Sequence, residues 1–247
     1  YFQFVPSNPW LAVGWRDRES ITFPIKPYLA KKDIDFVAQR VTRIDAEGNA
    51  LELQDGNKLA YAYLIITTGP KLSFDEVPGA GPEGHTQSIC LVDHAERAYA
   101  RYQAFVKDPG PAIIGAMPGA SCFGPAYEFS FIFNTDLKRR KLRHRVPITF
   151  VTSEPYIGHM GLGGVGDSKG LMESEMRQRH IKWIVNAKVS KVEQGLMHVM
   201  ECDESGADKK AHALPFMLSL LLPAFKGVDA VAAVEGLCNP RGFVLID

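Results

Sequence analysis

No segment of the 247-residue chain is apolar for the roughly 18 residues that a membrane-crossing helix needs. The longest nearly continuous run, Leu214–Phe225, is too short and reads as a buried strand or core segment. An excess of one charge is also missing: 28 Lys+Arg stand against 28 Asp+Glu, so nothing draws the whole chain toward nucleic acid or an acidic membrane. Tyr1-Phe-Gln-Phe-Val5 lacks the basic n-region of a secretory signal. The chain opens without Met and inside a strand-like run, so it is expected to be part of a longer polypeptide. Cysteine is sparse. The four, at 90, 122, 202 and 238, include no close-set zinc pair and are too few for a disulfide scaffold; no metal site is expected. What is present, 46% apolar and 23% charged residues with 22 Gly and 16 Pro, is the composition of a globular protein and excludes disorder, collagen and coiled coil.

Periodicity divides the chain into two halves of similar plan. Residues 1–5 read as a short strand, Pro9 opens a helix carrying Trp10, and Phe23–Ala30 forms a second short helix. Alternating segments at 35–44, 50–53 and 58–62, separated by Asp45-Ala-Glu-Gly48 and Asp55-Gly-Asn57, predict a three-stranded antiparallel meander. Tyr63–Thr67 does not alternate and reads as a strand covered on both faces. A helix is expected over Val92–Val106, ended by Asp108-Pro-Gly-Pro111, where the domain boundary is placed. Beyond it come a strand at 112–114, a glycine-rich turn, a helix over about 122–142 and a strand at 148–151. A helix at 168–179, a strand at 181–185, a second meander over 189–214 and a closing apolar strand at 243–246 follow.

Gly115-Ala-Met-Pro-Gly119-Ala-Ser-Cys122 lies between strand and helix, where a dinucleotide fingerprint would lie, but departs from G-x-G-x-x-G. Met117-Pro118 stand where backbone would have to approach pyrophosphate, which argues against a nicotinamide site. Cys122 falls near a helix N-terminus, whose unpaired N–H groups and dipole favour thiolate. A literal Gly161-Leu-Gly-Gly-Val-Gly166 is too far from the preceding strand to be that fingerprint; it is read as a loop with Asp167-Ser168 capping the next helix. Thr68-Gly69 sit at the carboxyl end of the expected strand Tyr63–Thr67, the usual ligand edge of such sheets. Asp93 is the expected N-cap of the helix carrying His94. His94 and His159 titrate in the range needed for proton relay, and Glu128 could serve as an acid or base. Each has an ordinary alternative as a packed or surface residue. The basic run Lys138–Arg145 reads as a solvated helix end and not as a nucleic-acid patch, since no aromatics interleave it. Trp10 and Trp15 are assigned to packing.

Tyr1-Phe-Gln-Phe-Val-Pro-Ser-Asn-Pro-Trp10, Ser88-Ile-Cys90-Leu-Val-Asp-His94, Gly119-Ala-Ser-Cys122-Phe-Gly-Pro-Ala-Tyr-Glu128 and Thr152-Ser-Glu-Pro-Tyr-Ile-Gly-His159 resemble the bacterial sulfide:quinone oxidoreductases. So do Pro223-Ala-Phe-Lys-Gly227 and Glu235-Gly-Leu-Cys-Asn-Pro240. The resemblance runs almost without gaps from Tyr1 to Asp247. It implies an α/β fold of two Rossmann-like (FAD/NAD(P)-binding) domains, each with a three-stranded antiparallel meander, lacking N- and C-terminal parts. The implied spans are 1–108 (remainder of the FAD domain), 109–227 (the second Rossmann-like domain) and 228–247 (return to the first). It implies FAD as cofactor, sulfide and quinone as substrates, and a peripheral place on the bacterial inner membrane through a segment beyond Asp247. It is compatible with a homo-oligomer.

By the same resemblance, Cys122 is the redox cysteine beside the flavin, its partner being another cysteine far toward the C-terminus, and Cys90 is an accessory cysteine. His94, Glu128 and His159 lie near that site, as candidates for proton handling. Val5, Pro6 and Ser7 match the loop near the flavin, Val41 the segment near the adenine, and Thr68-Gly69 the turn beside FAD. The segments that hold the FAD pyrophosphate would precede Tyr1, so the chain alone is expected to be inactive. Two other readings stay open: a type II NADH dehydrogenase-like flavoprotein, and a non-catalytic α/β binding module.

Overall fold

The computed structural model describes residues 1–246. In chain order the elements are β1 (Phe2–Gln3), α1 (Asn8–Leu11), α2 (Arg18–Ile21), β2 (Thr22–Phe23), α3 (Lys26–Ala30), β3 (Val41–Asp45), β4 (Ala50–Leu53), β5 (Lys58–Ala60) and β6 (Lys71–Ser73). Then come α4 (Val92–Phe105), β7 (Ala112–Ala116), α5 (Gly124–Arg139), β8 (Ile148–Val151), α6 (Ser168–Gln178) and β9 (Ile181–Ile184). The last are β10 (Ala187–Glu193), β11 (Leu196–Cys202), β12 (Asp208–Pro215), β13 (Leu218–Leu222), β14 (Ala224–Lys226) and α7 (Asp229–Ala232). No helix among the described residues is long and apolar enough to cross a membrane.

Contacts divide the chain into one unit of residues 1–23 and 74–224 and another of 24–73 and 225–247. These differ from the spans 1–108, 109–227 and 228–247, for a packing reason. Helix α1 packs on α4 and α5, and α4 packs on β13, which fastens residues 1–23 and 74–108 to the parallel sheet.

That sheet is parallel in the order β9-β8-β7-β13, the 3-2-1-4 arrangement of a doubly wound unit. Both of its faces are covered, and the pleat shows it. Ile114, Ile148, Phe150, Leu220 and Leu222 join one core cluster with Tyr127, Phe133 and Leu137 of α5. Their neighbours Ile113, Val151 and Leu221 join a second cluster with Val189 and Val199 of the β10–β12 meander. One face is thus held by helices and the other by the meander. Gly115 lies where strands approach most closely: a Cβ there would fall 1.8 Å from Val151 O. Helix α5 starts with Pro125 in its first turn and buries Ala126, Phe129, Phe133 and Leu137 along one stripe, with Lys138 and Arg139 at its dipole-matched end.

The basic run is knitted in more tightly than a solvated helix end. Arg143 donates to Asn134 Oδ1 at 2.9 Å and to Arg179 O at 2.6 Å, and Arg139 lies 4.2 Å over the Trp15 ring. Trp10 and Trp15 pack edge to face, as expected of core aromatics.

In the second unit β3-β4-β5 form the predicted antiparallel meander, although residues 35–40 precede the first strand and are not part of it. Strand β6 pairs with β14. Two expectations fail here. Tyr63–Thr67 is not a covered strand: it forms no ladder among the described residues, and Tyr63 and Ile65 are 94% and 86% exposed. An unalternating apolar run is a strand only where neighbours cover both its faces, and none does so among the described residues. Residues 243–246 likewise form only a single bridge, Cys238 to Val244, and are exposed.

Candidate functional site

In a doubly wound sheet the crevice for ligands opens at the carboxyl ends of strands where the order reverses, here between β7 and β13. The chain leaves β7 at that point and runs through Met117–Phe123 before α5 begins. Met117 is fully buried, and its N–H donates to Leu222 O at 2.8 Å. The backbone donor that a fingerprint turn would offer to pyrophosphate is therefore spent closing the crevice. Beyond a left-handed turn at Gly119 (φ +76°), Cys122 is exposed, two residues before α5. It precedes the helix and does not sit within its first turn.

Cys90 is half-buried and near enough to Cys122 to be affected electrostatically. Burial pushes its thiol up to about 11, the Ser88 hydroxyl opposes that rise and Cys122 adds to it. Ser88 organises this neighbourhood: its Oγ accepts the Cys90 N–H at 3.2 Å and lies 3.3 Å from His94 Nδ1. His94 stands in the first turn of α4, whose N-cap is Leu91; Asp93, expected as that cap, instead pairs with Arg18. Burial, reinforced by Arg97, lowers the His94 pKa from the ordinary histidine value, against the pull of Asp93 and Glu83. Asn8, entirely buried, donates Nδ2 to Ile89 O at 2.9 Å and so ties the turn of Val5, Pro6 and Ser7 to the segment bearing Cys90.

His159 belongs to a loop rich in left-handed glycines, Gly158–Gly166, and its ring meets Tyr156 edge to face at 5.2 Å. The loop lies on the flanks of Cys122: a Cβ on Gly161 would fall 3.4 Å from Ser121 O and 3.5 Å from the Phe123 ring. Asp167 caps α6 through the Gly170 N–H at 3.2 Å, as predicted. The structure thus gathers Cys122, Cys90, His94, His159 and the turn Val5–Ser7 in one unit. Glu128 lies on α5 and is exposed.

Val41 and Thr68 lie in the other unit and line one cleft of about 790 Å³. Ile44, Leu51 and Ile66 supply apolar wall, Thr67 a hydroxyl and Arg40 positive charge, while Lys71 pairs with Asp229 at 3.1 Å. Such a lining suits a flat heteroaromatic ring with an anionic tail, and the volume is that of an ordinary ligand site. Gly69 turns the chain beside it at φ +68°.

Sequence reasoning gave no role to Glu154 or Tyr127. Both are buried, and Tyr127 Oη donates to Glu154 Oε2 at 2.8 Å. The available signal was a carboxylate three residues past β8, at the ligand edge of a parallel sheet.

This sheet order, with a meander inserted before its last strand, is an α/β fold of the FAD/NAD(P)-binding type. The structure of NDH2 from Plasmodium falciparum in complex with NADH shares it, with a TM-score of 0.75, 16% identity and coverage of 94% of this chain and 50% of that one. Within that fold the chain is similar along its whole length to one curated relative and its solved structure. It is 41% identical to sulfide-quinone reductase of Aquifex aeolicus over 247 residues, which is 100% of this chain and 56% of the relative. The crystal structure of the Aquifex aeolicus sulfide:quinone oxidoreductase superposes with a TM-score of 0.92 at 41% identity, covering 98% of this chain and 55% of that one. The chain spans little more than half the length of these relatives. No family model matches it.

Proposed function

We propose that this chain carries the cysteine-bearing part of a sulfide:quinone oxidoreductase, a flavoprotein that oxidises sulfide to sulfur or polysulfide and reduces quinone at a membrane surface. The observation that carries the reading is the placement of Cys122: an exposed thiol at the switch point of the sheet, beside Cys90 and under the His159 loop. FAD, when bound, supplies the acceptor for the two electrons that leave sulfide. The residues in the 790 Å³ cleft fit the adenine end of that cofactor, with Arg40 as the cation nearest to hand for its phosphates, since Lys71 is paired with Asp229.

The two cysteines divide the work by environment. Thiol–disulfide exchange needs thiolate and access. Cys122 has access. Cys90 is held as neutral thiol by burial and is not an attacking group near neutral pH. His94 is kept neutral by the same burial, so its ring can take a proton from incoming hydrogen sulfide beside Ser88. His159 presents a second imidazole from the loop that covers the flanks of Cys122. Glu128 has the exposure of a group that passes protons to solvent. The NADH dehydrogenase reading is disfavoured by Met117, whose N–H and side chain already fill the position a nicotinamide dinucleotide would need.

The test is an anaerobic titration of the full-length, FAD-loaded protein with sulfide, following flavin absorbance. Cys122→Ala should abolish sulfide-driven bleaching. Bleaching at the parent rate in that variant would overturn the reading.

A further inference from the structure

The amides on either side of His159 are both fixed, one directly by a buried carboxylate and the other by a phenol bonded to that carboxylate. Glu154, 2% exposed, accepts the Met160 N–H on Oε1 at 2.6 Å. Its Oε2 accepts Tyr127 Oη at 2.8 Å and Thr152 Oγ1 at 2.7 Å. Tyr127 Oη in turn accepts the Gly158 N–H at 3.0 Å. The bend so held is costly for the backbone: Gly158 stands at φ +85° and Met160, a non-glycine, at φ +58°. A left-handed Met160 persists only where its surroundings dictate it, and the bond from its own N–H to Glu154 does so. Ser168 Oγ, donating to Gly158 O at 2.8 Å, secures the loop's far side.

We infer that Glu154 and Tyr127 are positioning residues for the Cys122 site: they lock the Gly158–His159–Met160 bend and through it hold Gly161 against Ser121 and Phe123. The inference rests on the proposed role of Cys122. Tyr127 lies on α5, five residues past the cysteine, so one helix start supports both the cysteine loop and the loop that covers its flanks. Burial raises the Tyr127 phenol above its usual range, as does Glu154, so it stays protonated as the donor the clamp requires. An acceptor-only carboxylate matches the three donors around it; an amide would set an N–H against at least one of them.

The test uses reduced, FAD-loaded, full-length protein and reads both the rate of Cys122 alkylation by iodoacetamide, mapped by mass spectrometry, and the sulfide KM against the quinone KM. Tyr127→Phe keeps the ring tilted against Phe150 at a centroid distance of 4.6 Å and removes only the hydroxyl. It should raise Cys122 alkylation and the sulfide KM roughly tenfold, the worth of a buried hydrogen bond to a charged group, and leave the quinone KM unchanged. Glu154→Gln should behave alike. Thr152→Val, which removes another bond to the same carboxylate but leaves both His159 flanks tied, should stay within about twofold of the parent. Unchanged alkylation and sulfide KM in the first two variants, or equal changes in Thr152→Val, would overturn the inference. If Cys122→Ala still supports sulfide-driven reduction, the functional reading fails, while the alkylation rates still report whether the clamp exists.

Discussion

The sharpest chemical prediction concerns Cys90, whose thiol burial raises to about 11 against an ordinary 9.0. At pH 8 such a group is thiolate in about one molecule in a thousand, against about one in ten at the ordinary value. Reduced native protein should therefore alkylate Cys90 roughly a hundredfold more slowly at pH 8 than the same protein unfolded in urea. Steric cover adds to that factor. The assay is a timed iodoacetamide pulse, an acid quench and peptide mapping of the segment around residue 90. Ser88→Ala, which removes the hydroxyl that opposes the rise, should slow the native reaction further. The linkage has a definite sign: the folded state holds this proton to a higher pH than the unfolded one, so its contribution to stability is complete below pH 9 and declines from there toward about 11. Native Cys90 reacting within about threefold of the unfolded chain would refute the reasoning, since a buried thiol cannot be that nucleophilic.

Other outcomes follow from the same contacts. Asp136, buried on α5, accepts Trp15 Nε1 at 2.8 Å and Arg140 Nε at 2.5 Å and pairs with the Tyr102 hydroxyl; Asp136→Ala should cost about 3–5 kcal/mol in urea unfolding, and Tyr102→Phe about 1 kcal/mol. Gly115→Ala drives a methyl into Val151 O and should cost about 3 kcal/mol or more, read as a lower unfolding midpoint. His94 should titrate below 6.5 by NMR. Its folded pKa is lower than its unfolded one, so the folded state loses stability as pH falls through and below the histidine range; a midpoint above 6.5 would contradict the burial argument.

The parallel-sheet unit was legible because its strands carry their own signal. Ile148–Val151 and Ala112–Ile114 are apolar without alternation, as two-faced burial requires, and both appear where predicted. The meanders were legible for the complementary reason, alternation broken by turn residues. Tyr63–Thr67 shows the limit: the same unalternating pattern demands neighbours, and a single segment cannot state whether neighbours exist. Arg18–Ile21 was missed because a four-residue helix has no periodicity to read; only its Asp17 cap, bonded to the Ser20 N–H, marks it. At the site, Cys122, Cys90 and His159 could be named because their residue types carry chemistry. Glu154 could not. Its role depends on Met160 and Tyr127 arriving at its two oxygens, which is a fact of tertiary structure alone.

Strand β13 reaches its partner β7 more than a hundred residues after β7 has been made, since Leu218 lies beside Ala112. A ribosome needs roughly 5–20 s to supply that stretch. During that interval the emerging chain already displays the thiol of Cys122, while the Leu222 carbonyl that anchors Met117 does not yet exist. Newborn molecules thus pass through a window in which the turn bearing this sulfur has no anchor, and the arrival of β13 ends it.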